Sequence, residues 1–507
     1  MATIDQQLAA RPEGRQLHFN PRQFFEEHIA RTWWLATWLL LLTYVTVRYT
    51  LGQLAAAPLA TGAVLLVWAV TVGWTVFNEM TRQHTPATRW LRNNLYSSIP
   101  NAEITLLLVL FLIAGARGFF GWAVVRASFT TSPDLAEEVL ARFEDPGANW
   151  GAVIDNFRNL MVFRFPRQEN WRLLAVLGVL VALAGPSTIV YRRPQFRRSL
   201  ARRVLTFLWI LSPFVIFLLL RGFGGADSPI PYLNPDIAWG GLLLTLIIAV
   251  FGIVASFPLG VLLALGRRST IRGVPAWIIW PAAISLTVWG LWTSTPENLA
   301  EARTTAERLL SYWPLVIPLI AYLFQRYFHG NVVALFSTLY IEMWRGVPLI
   351  TVLFMSLILF PAFLPPGTEI LQTWRVLVAV ALFAAAYLAE NVRGGLQSIP
   401  HGQYEAADSL GLSTYKKYRL IIMPQALRAV IPAIVGQFIG LFKDTTLVAI
   451  VGLIELLGVA NLISAQPDWL GVRRAPYVFI ALIYFIGSFA MAAYSRRLER
   501  QLGVGER

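Results

Sequence analysis

Between two apolar runs, at 374–392 and 427–447, the chain reads Ser398-Ile399-Pro400-His401-Gly402-Gln403-Tyr404-Glu405-Ala406-Ala407-Asp408-Ser409-Leu410-Gly411, then Leu412 to Leu420, then Ile421-Ile422-Met423-Pro424. Residues 403–410 favour helix, and Gly411 suits the left-handed cap that would end it. Ser413 or Thr414 can start a second helix carrying Lys416, Lys417 and Arg419, which Pro424 is expected to close before the next apolar run. A short helix, a sharp turn and a basic helix, held at both ends, suit docking into a groove on another protein.

The surroundings of this stretch are unlike those of a soluble chain. Of 507 residues, 56% are hydrophobic and 14% charged, with 19 Trp and 31 Phe. Soluble domains carry about 25% charged residues, so a larger core alone does not account for the deficit. Runs long enough for a membrane helix, roughly 20 apolar residues, fall near 33–49, 54–77, 104–122, 173–191, 204–220, 239–265, 274–292, 312–325, 347–363, 374–392, 427–447 and 476–494. The expected fold is therefore an all-α integral membrane protein of about twelve transmembrane helices. Residues 1–31 carry Arg, Glu and His throughout, so no cleavable signal is expected.

The net charge of +14 then marks sidedness and needs no nucleic-acid partner. Arg11, Arg15, Arg22 and Arg31 precede the first run, and Arg82, Arg89 and Arg92 follow the second. Arg192, Arg193, Arg197, Arg198, Arg202 and Arg203 follow the fourth, and Arg267, Arg268 and Arg272 the sixth. Lys416, Lys417 and Arg419 follow the tenth, and Arg496, Arg497 and Arg500 the last. All lie on alternate loops, which places both termini and the 398–424 stretch on the cytoplasmic side of the membrane; Arg473 and Arg474 depart from the pattern. The long external segment 123–172 is read as a small folded cap or, more plainly, as a solvated loop with amphipathic helices.

Several chemistries are excluded or left without residues. With no Cys there are no disulfides or thiolates, and five scattered His support no metal site. The three lysines, Lys416, Lys417 and Lys443, do not follow Gly, so no phosphate-binding loop exists and ATP hydrolysis would need a partner. No Ser, His or carboxylate constellation suggests a membrane enzyme.

The spacing Glu405-Ala406-Ala407, Gly411, Ile421, Pro424 resembles the EAA loop of type I ABC-importer permeases of the MetI-like fold. Ala386-Tyr387-Leu388-Ala389-Glu390-Asn391-Val392-Arg393-Gly394-Gly395-Leu396, Pro424-Gln425-Ala426-Leu427-Arg428, Lys443-Asp444-Thr445-Thr446-Leu447 and Tyr340 to Leu349 are similar to the polar amino-acid permeases. The N-terminal extension and Trp90-Leu91-Arg92-Asn93-Asn94-Leu95 resemble the M subunit of general L-amino-acid permeases.

The resemblance implies a permease domain at 239–494 with a two-helix insertion at about 270–331, and an N-terminal membrane extension at 32–232 of about five helices. Cytoplasmic tails at 1–31 and 495–507 complete the division. It also implies an ATPase dimer docked on the loop, a second permease subunit, an external amino-acid-binding protein and a lipid environment. ATP and Mg would be held by the ATPase, and no cofactor by this chain. In the joint, Ala406 and Ala407 would permit close approach and Glu405 would cap or hydrogen-bond.

Charges near membrane segments are costly unless paired or wet, so Glu342, Arg345, Glu390, Arg393, Lys443, Asp444 and Thr445 are expected at a gate or along the translocation path. The i,i+3 spacing suggests that Glu342 pairs with Arg345 and Glu390 with Arg393 within their helices. The competing function is an autonomous ion-coupled secondary transporter, against which stands the lack of a visible inverted repeat.

Overall fold

A computed structural model describes residues 30–502, apart from 54–57, 81–85, 96, 194–195, 197–198, 226, 270–271, 328–329 and 366. Arg11, Arg15, Arg22, Arg82, Arg197 and Arg198, together with residues 1–29 and 503–507 of the two tails, lie outside the described residues. In hydrocarbon a backbone must satisfy its own polar groups, and the described residues are helical with only isolated bridges between them. They divide into two compact units. The first, residues 1–127 with 143–148, holds α1 (Ala30–Gln53), α2 (Pro58–Met80) and α3 (Ile99–Phe120). Its small core surrounds the buried Ala102 with Leu35, Trp38, Leu91 and Leu95.

The second unit contains α4 (Asn170–Val190), α5 (Leu200–Arg221), α6 (Gly241–Arg267), α7 (Ala276–Glu301), α8 (Val316–Tyr327), α9 (Val332–Gly346) and α10 (Leu349–Phe354). It continues with α11 (Gln372–Gln397), α12 (His401–Ser409), α13 (Met423–Asp444), α14 (Leu456–Ile463) and α15 (Arg474–Leu502). α11 is the central helix, with 61% of its apolar window buried against 28% for α6 and 11% for α15. It packs on α6, α9 and α13, and α13 packs on α15. Small side chains permit that closeness. A Cβ on Gly260 of α6 would stand 2.5 Å from Cδ2 and 2.8 Å from Cβ of Leu388, so glycine alone fits there. Outside, Leu482, Phe485, Ile486 and Phe489 form an exposed apolar stripe on α15, the surface a bilayer solvates and water does not.

Where they are described, the twelve apolar runs reappear largely as helix. Among the described residues nine helices are long and apolar enough to cross a membrane, ten if one bent pair is a single span. The run at 33–49 contains a shorter apolar helix, Leu35–Arg48, and the run at 312–325 becomes α8, 12 residues long. The bent pair is α9 and the helical stretch Leu349–Ala362, which meet at 103°. Pro348 imposes that corner: it lacks an N–H and holds Val347 extended, at φ −115°, ψ 134°.

Segment 128–142 and 149–172 is folded against its own unit and is not a solvated loop. Asn156 and Gln466 exchange reciprocal amide hydrogen bonds of 3.1 Å. Trp469 Nε1 donates to Asp155 at 3.0 Å, and the Phe157 and Phe479 rings meet edge to face. These contacts sit near the N-terminus of α6, one helix length from the 398–424 stretch.

Candidate functional site

The loop between α11 and α13 is built as two short helices around one strained turn. Pro400 opens α12, and Gly411 follows its C-terminus at φ +65°, where a β-carbon would meet no neighbour but would strain the backbone. Ser413 precedes the second helix, Thr414–Lys417. That helix does not stop at Pro424. It widens into a π turn over Tyr418–Ile422 and continues into α13, with Pro424 in the first turn of the latter. The missing N–H of Pro424 falls where the wider turn has already released its carbonyl partner, so the chain stays helical.

The motif residues divide by exposure. Glu405, Ala406, Gly411 and Pro424 are exposed, Ile421 is half-buried and Ala407 is fully buried. Ala407 is therefore small to fit its own chain, not to let a partner approach. The Glu405 backbone carbonyl accepts from Ser409, while its carboxylate enters no ion pair among the described residues. Lys417 Nζ instead reaches Asp408, at 2.6 Å. At the C-terminus of α6, Arg268 donates to the Leu396 carbonyl at 3.2 Å and lies 3.3 Å from the Tyr404 hydroxyl, joining α6, α11 and α12.

Beside this joint, Glu390 collects three guanidinium groups. Arg267 stands at 2.6 Å, Arg393 at 2.7 Å and Arg345 at 3.7 Å. Arg267 also holds Glu342 at 3.0 Å. The pairing of Glu390 with Arg393 within α11 is as the spacing suggested. Glu342 and Arg345 are not a pair among the described residues: each turns from α9 to a neighbouring helix. Packing of α6 and α11 against α9 offers closer partners than the i,i+3 neighbour, and Arg267, read above only as a marker of sidedness, becomes a central member. The cluster carries three positive and two negative charges, with the Glu390 side chain 14% exposed and the arginines 26–37%.

At the other end of α13, the Lys443-Asp444-Thr445-Thr446 break is real. α13 ends at Asp444 and a 3-10 stretch, Thr445–Val451, ends at Gly452 in the left-handed conformation. Lys443 and Asp444 form no ion pair among the described residues, because adjacent helical positions point apart. Lys443 is exposed and Asp444 half-buried, while Thr445 is buried and lies 3.4 Å from the Tyr484 hydroxyl. Tyr484 in turn donates at 3.1 Å to Glu455, a fully buried carboxylate that caps α14 through the Leu457 and Gly458 N–H groups at 3.0 and 2.9 Å. Thr245 of α6 stands 3.4 Å from the same carboxylate. Glu455 thus ties α6, α14 and α15 together, and the signal that would have found it is an acidic residue set inside the apolar sequence Val451 to Ala460.

Sequence comparison adds relatives to this geometry. The profile of the family described as "Binding-protein-dependent transport system inner membrane component" matches residues 315–504. The chain is 35% identical over 419 residues to the inner membrane amino-acid ABC transporter permease protein YhdY of Escherichia coli (strain K12), covering 82% of this chain and 93% of that relative. It is 35% identical over 468 residues to the glutamate/glutamine/aspartate/asparagine transport system permease protein BztC of Rhodobacter capsulatus, covering 82% and 94%. A shorter relative, the probable glutamine ABC transporter permease protein GlnP of Bacillus subtilis (strain 168), is 36% identical over 174 residues, which are 34% of this chain and 78% of that relative.

Proposed function

Since the chain belongs to the amino-acid ABC transporter permeases, we propose that it is the membrane subunit through which an ATP-driven importer passes polar L-amino acids across the bacterial inner membrane. An ATPase dimer docks on the loop formed by Glu405, Ala406, Ala407, Gly411, Ile421 and Pro424. A second permease subunit completes the path, and an external binding protein delivers substrate. ATP and Mg reside on the ATPase, and this chain only transmits their work. Both termini and the loop face the cytoplasm. Supporting that orientation, Arg267, Arg268, Lys416, Lys417 and Arg419 gather at the one end of the second unit that also carries α12.

Closure of the ATPase dimer displaces α12, and two routes carry the displacement inward. One is Arg268, bonded to both α11 and Tyr404. The other is the π turn that joins the loop to α13. The Glu390 cluster, which ties α6, α9 and α11 at that end, forms the gate that must part when the path opens to the cytoplasm. Lys443, Asp444 and Thr445, at the break in α13, line the path. An ion-coupled secondary transporter would have no use for an exposed Glu405-Ala406 face beside a left-handed glycine turn.

The observation that carries the reading is that turn: Gly411 at φ +65°, exposed, between an exposed acidic helix and a basic one. A valine there costs about 1–2 kcal/mol of backbone strain and shifts the two helices apart. Glu405→Lys and Gly411→Val should each abolish amino-acid uptake in intact cells while the permease stays in the membrane at normal abundance. Wild-type uptake by either variant at that abundance refutes the docking role.

A further inference from the structure

A cavity of ≈ 450 Å³ opens between the α9–α10 corner and α11. Met343, Val352, Met355, Leu359, Phe360 and Val378 are among its walls, and the lining is almost entirely carbon. One strong charge borders it. Arg375, in the first turn of α11, donates through Nη1 to the Leu357 carbonyl at 2.7 Å and lies 3.4 Å from the Ser356 carbonyl. Both carbonyls belong to a π turn, Met355–Leu359, and Pro361, five residues after Ser356, has no N–H to offer its carbonyl. The Arg375 Nε is buried without a partner, and among the described residues no carboxylate comes within ion-pair distance of this guanidinium. Asp236, which also serves this end of α11, is committed to the helix N-terminus, accepting from Gln372 and Thr373 N–H at 2.9 and 2.7 Å.

Depth decides what can meet that charge. Arg375 precedes Glu390 by fifteen residues on one helix, about 22 Å along its axis. With the Glu390 cluster at one boundary of a hydrocarbon layer about 30 Å thick, Arg375 lies toward the other, about 8 Å short of it, a gap that a long cationic side chain and a lipid headgroup can close between them, and Trp374 beside it adds an interfacial aromatic. An amino acid is poorly served here, since carbon walls give its ammonium group and a polar side chain no hydrogen bonds to replace those of water. An apolar chain with an anionic head satisfies both features at once.

We infer that this cavity is a lipid site, taking one acyl chain of an anionic phospholipid whose phosphate sits on Arg375, in the leaflet remote from the docking loop. The lipid neutralises the Arg375 guanidinium at the edge of the cavity and fills the angle between α9 and α10, so it braces the corner that Pro348 creates.

The test uses the whole transporter in nanodiscs of equal phosphatidylglycerol and phosphatidylcholine, with a photoactivatable group on the acyl chain of one lipid or the other. Phosphatidylglycerol should label peptides containing Met355, Phe360 and Val378 about tenfold more than phosphatidylcholine does, the weight of one charge-assisted contact. Arg375→Gln should remove that preference and Arg375→Lys should keep it. Met355→Trp, which fills the cavity from its rim and leaves the arginine alone, should reduce labelling by both lipids. Equal labelling by the two lipids in the unaltered protein overturns the proposal, as does a preference that survives Arg375→Gln. So does protection of these peptides by the second permease subunit, or displacement of the label by a transported amino acid.

Discussion

Glu390 holds three arginines where a helix end would ordinarily need one counter-ion, and the surplus makes it the residue whose loss is felt most. Replacing it by Gln leaves Arg267, Arg345 and Arg393 crowded without their shared anion. Because the guanidinium groups stay partly open to water, the expected cost is about 1–3 kcal/mol, below the roughly 3–5 kcal/mol of a fully buried pair. Among the described residues Glu342 pairs with Arg267 alone, and it is 55% exposed, so Glu342→Gln should cost about 0–1 kcal/mol. Thermal unfolding of the purified transporter orders the two variants, and the reverse order would show that Glu390 is not the centre of the cluster. If the cluster is the gate, Glu390→Gln also lets ATP hydrolysis continue with reduced uptake, measured on the same preparation. At this scale the chemistry was partly legible. The charges stand out against an apolar sequence, but the partner of Arg267 is 123 positions away, and no local spacing announces it.

Between residues and molecule, the element that matters most is the π turn Tyr418–Ile422. A π turn is one residue more than the α-helix needs, and its wider winding takes that residue up so that the basic helix keeps its rotation relative to α13. Inserting an alanine beside Leu420, which is exposed, should exceed what the wide turn can take up and rotate the Glu405–Gly411 loop by about 100° against the span. The expected outcome is a folded permease that no longer retains its ATPase on co-purification, with uptake lost. Retention of the ATPase together with uptake would show that the rotation is not transmitted. Helix, turn and basic helix could be read from Gly411 and the lysines because those signals are local. The π turn could not, since composition does not distinguish it from α-helix and only the geometry around Pro424 reveals it.

For the whole second unit, the segment between α6 and α9, expected to be an insertion, is clipped at its base. Gly273 N–H donates to the Gly330 carbonyl at 2.9 Å, and the Asn331 side-chain amide donates to the Ser269 carbonyl. Entry and exit therefore share one end of α6, and the inserted segment makes its principal contacts within itself, α7 against α8. Whatever the depth reached by the 12-residue α8, the chain returns to the side it left. Excising residues 270–331 should leave the C-terminal tail on its original side, read by a reporter fused after Arg507, and a tail on the opposite side would mean that the insertion makes an odd number of crossings.

The sequence by itself determined that the chain crosses a membrane many times, on which loops its basic residues gather, and where the Glu405-Ala406-Ala407 motif lies. Those properties depend on apolar length and on spacing within one turn of helix. Only the tertiary structure decided that Ala407 faces inward, that Glu342 and Arg345 look to other helices, that the segment before α4 folds onto the core, and that Arg375 borders a carbon-lined cavity. Each of these is a choice among partners a few ångströms away, and it is made by the packing of helices around α11.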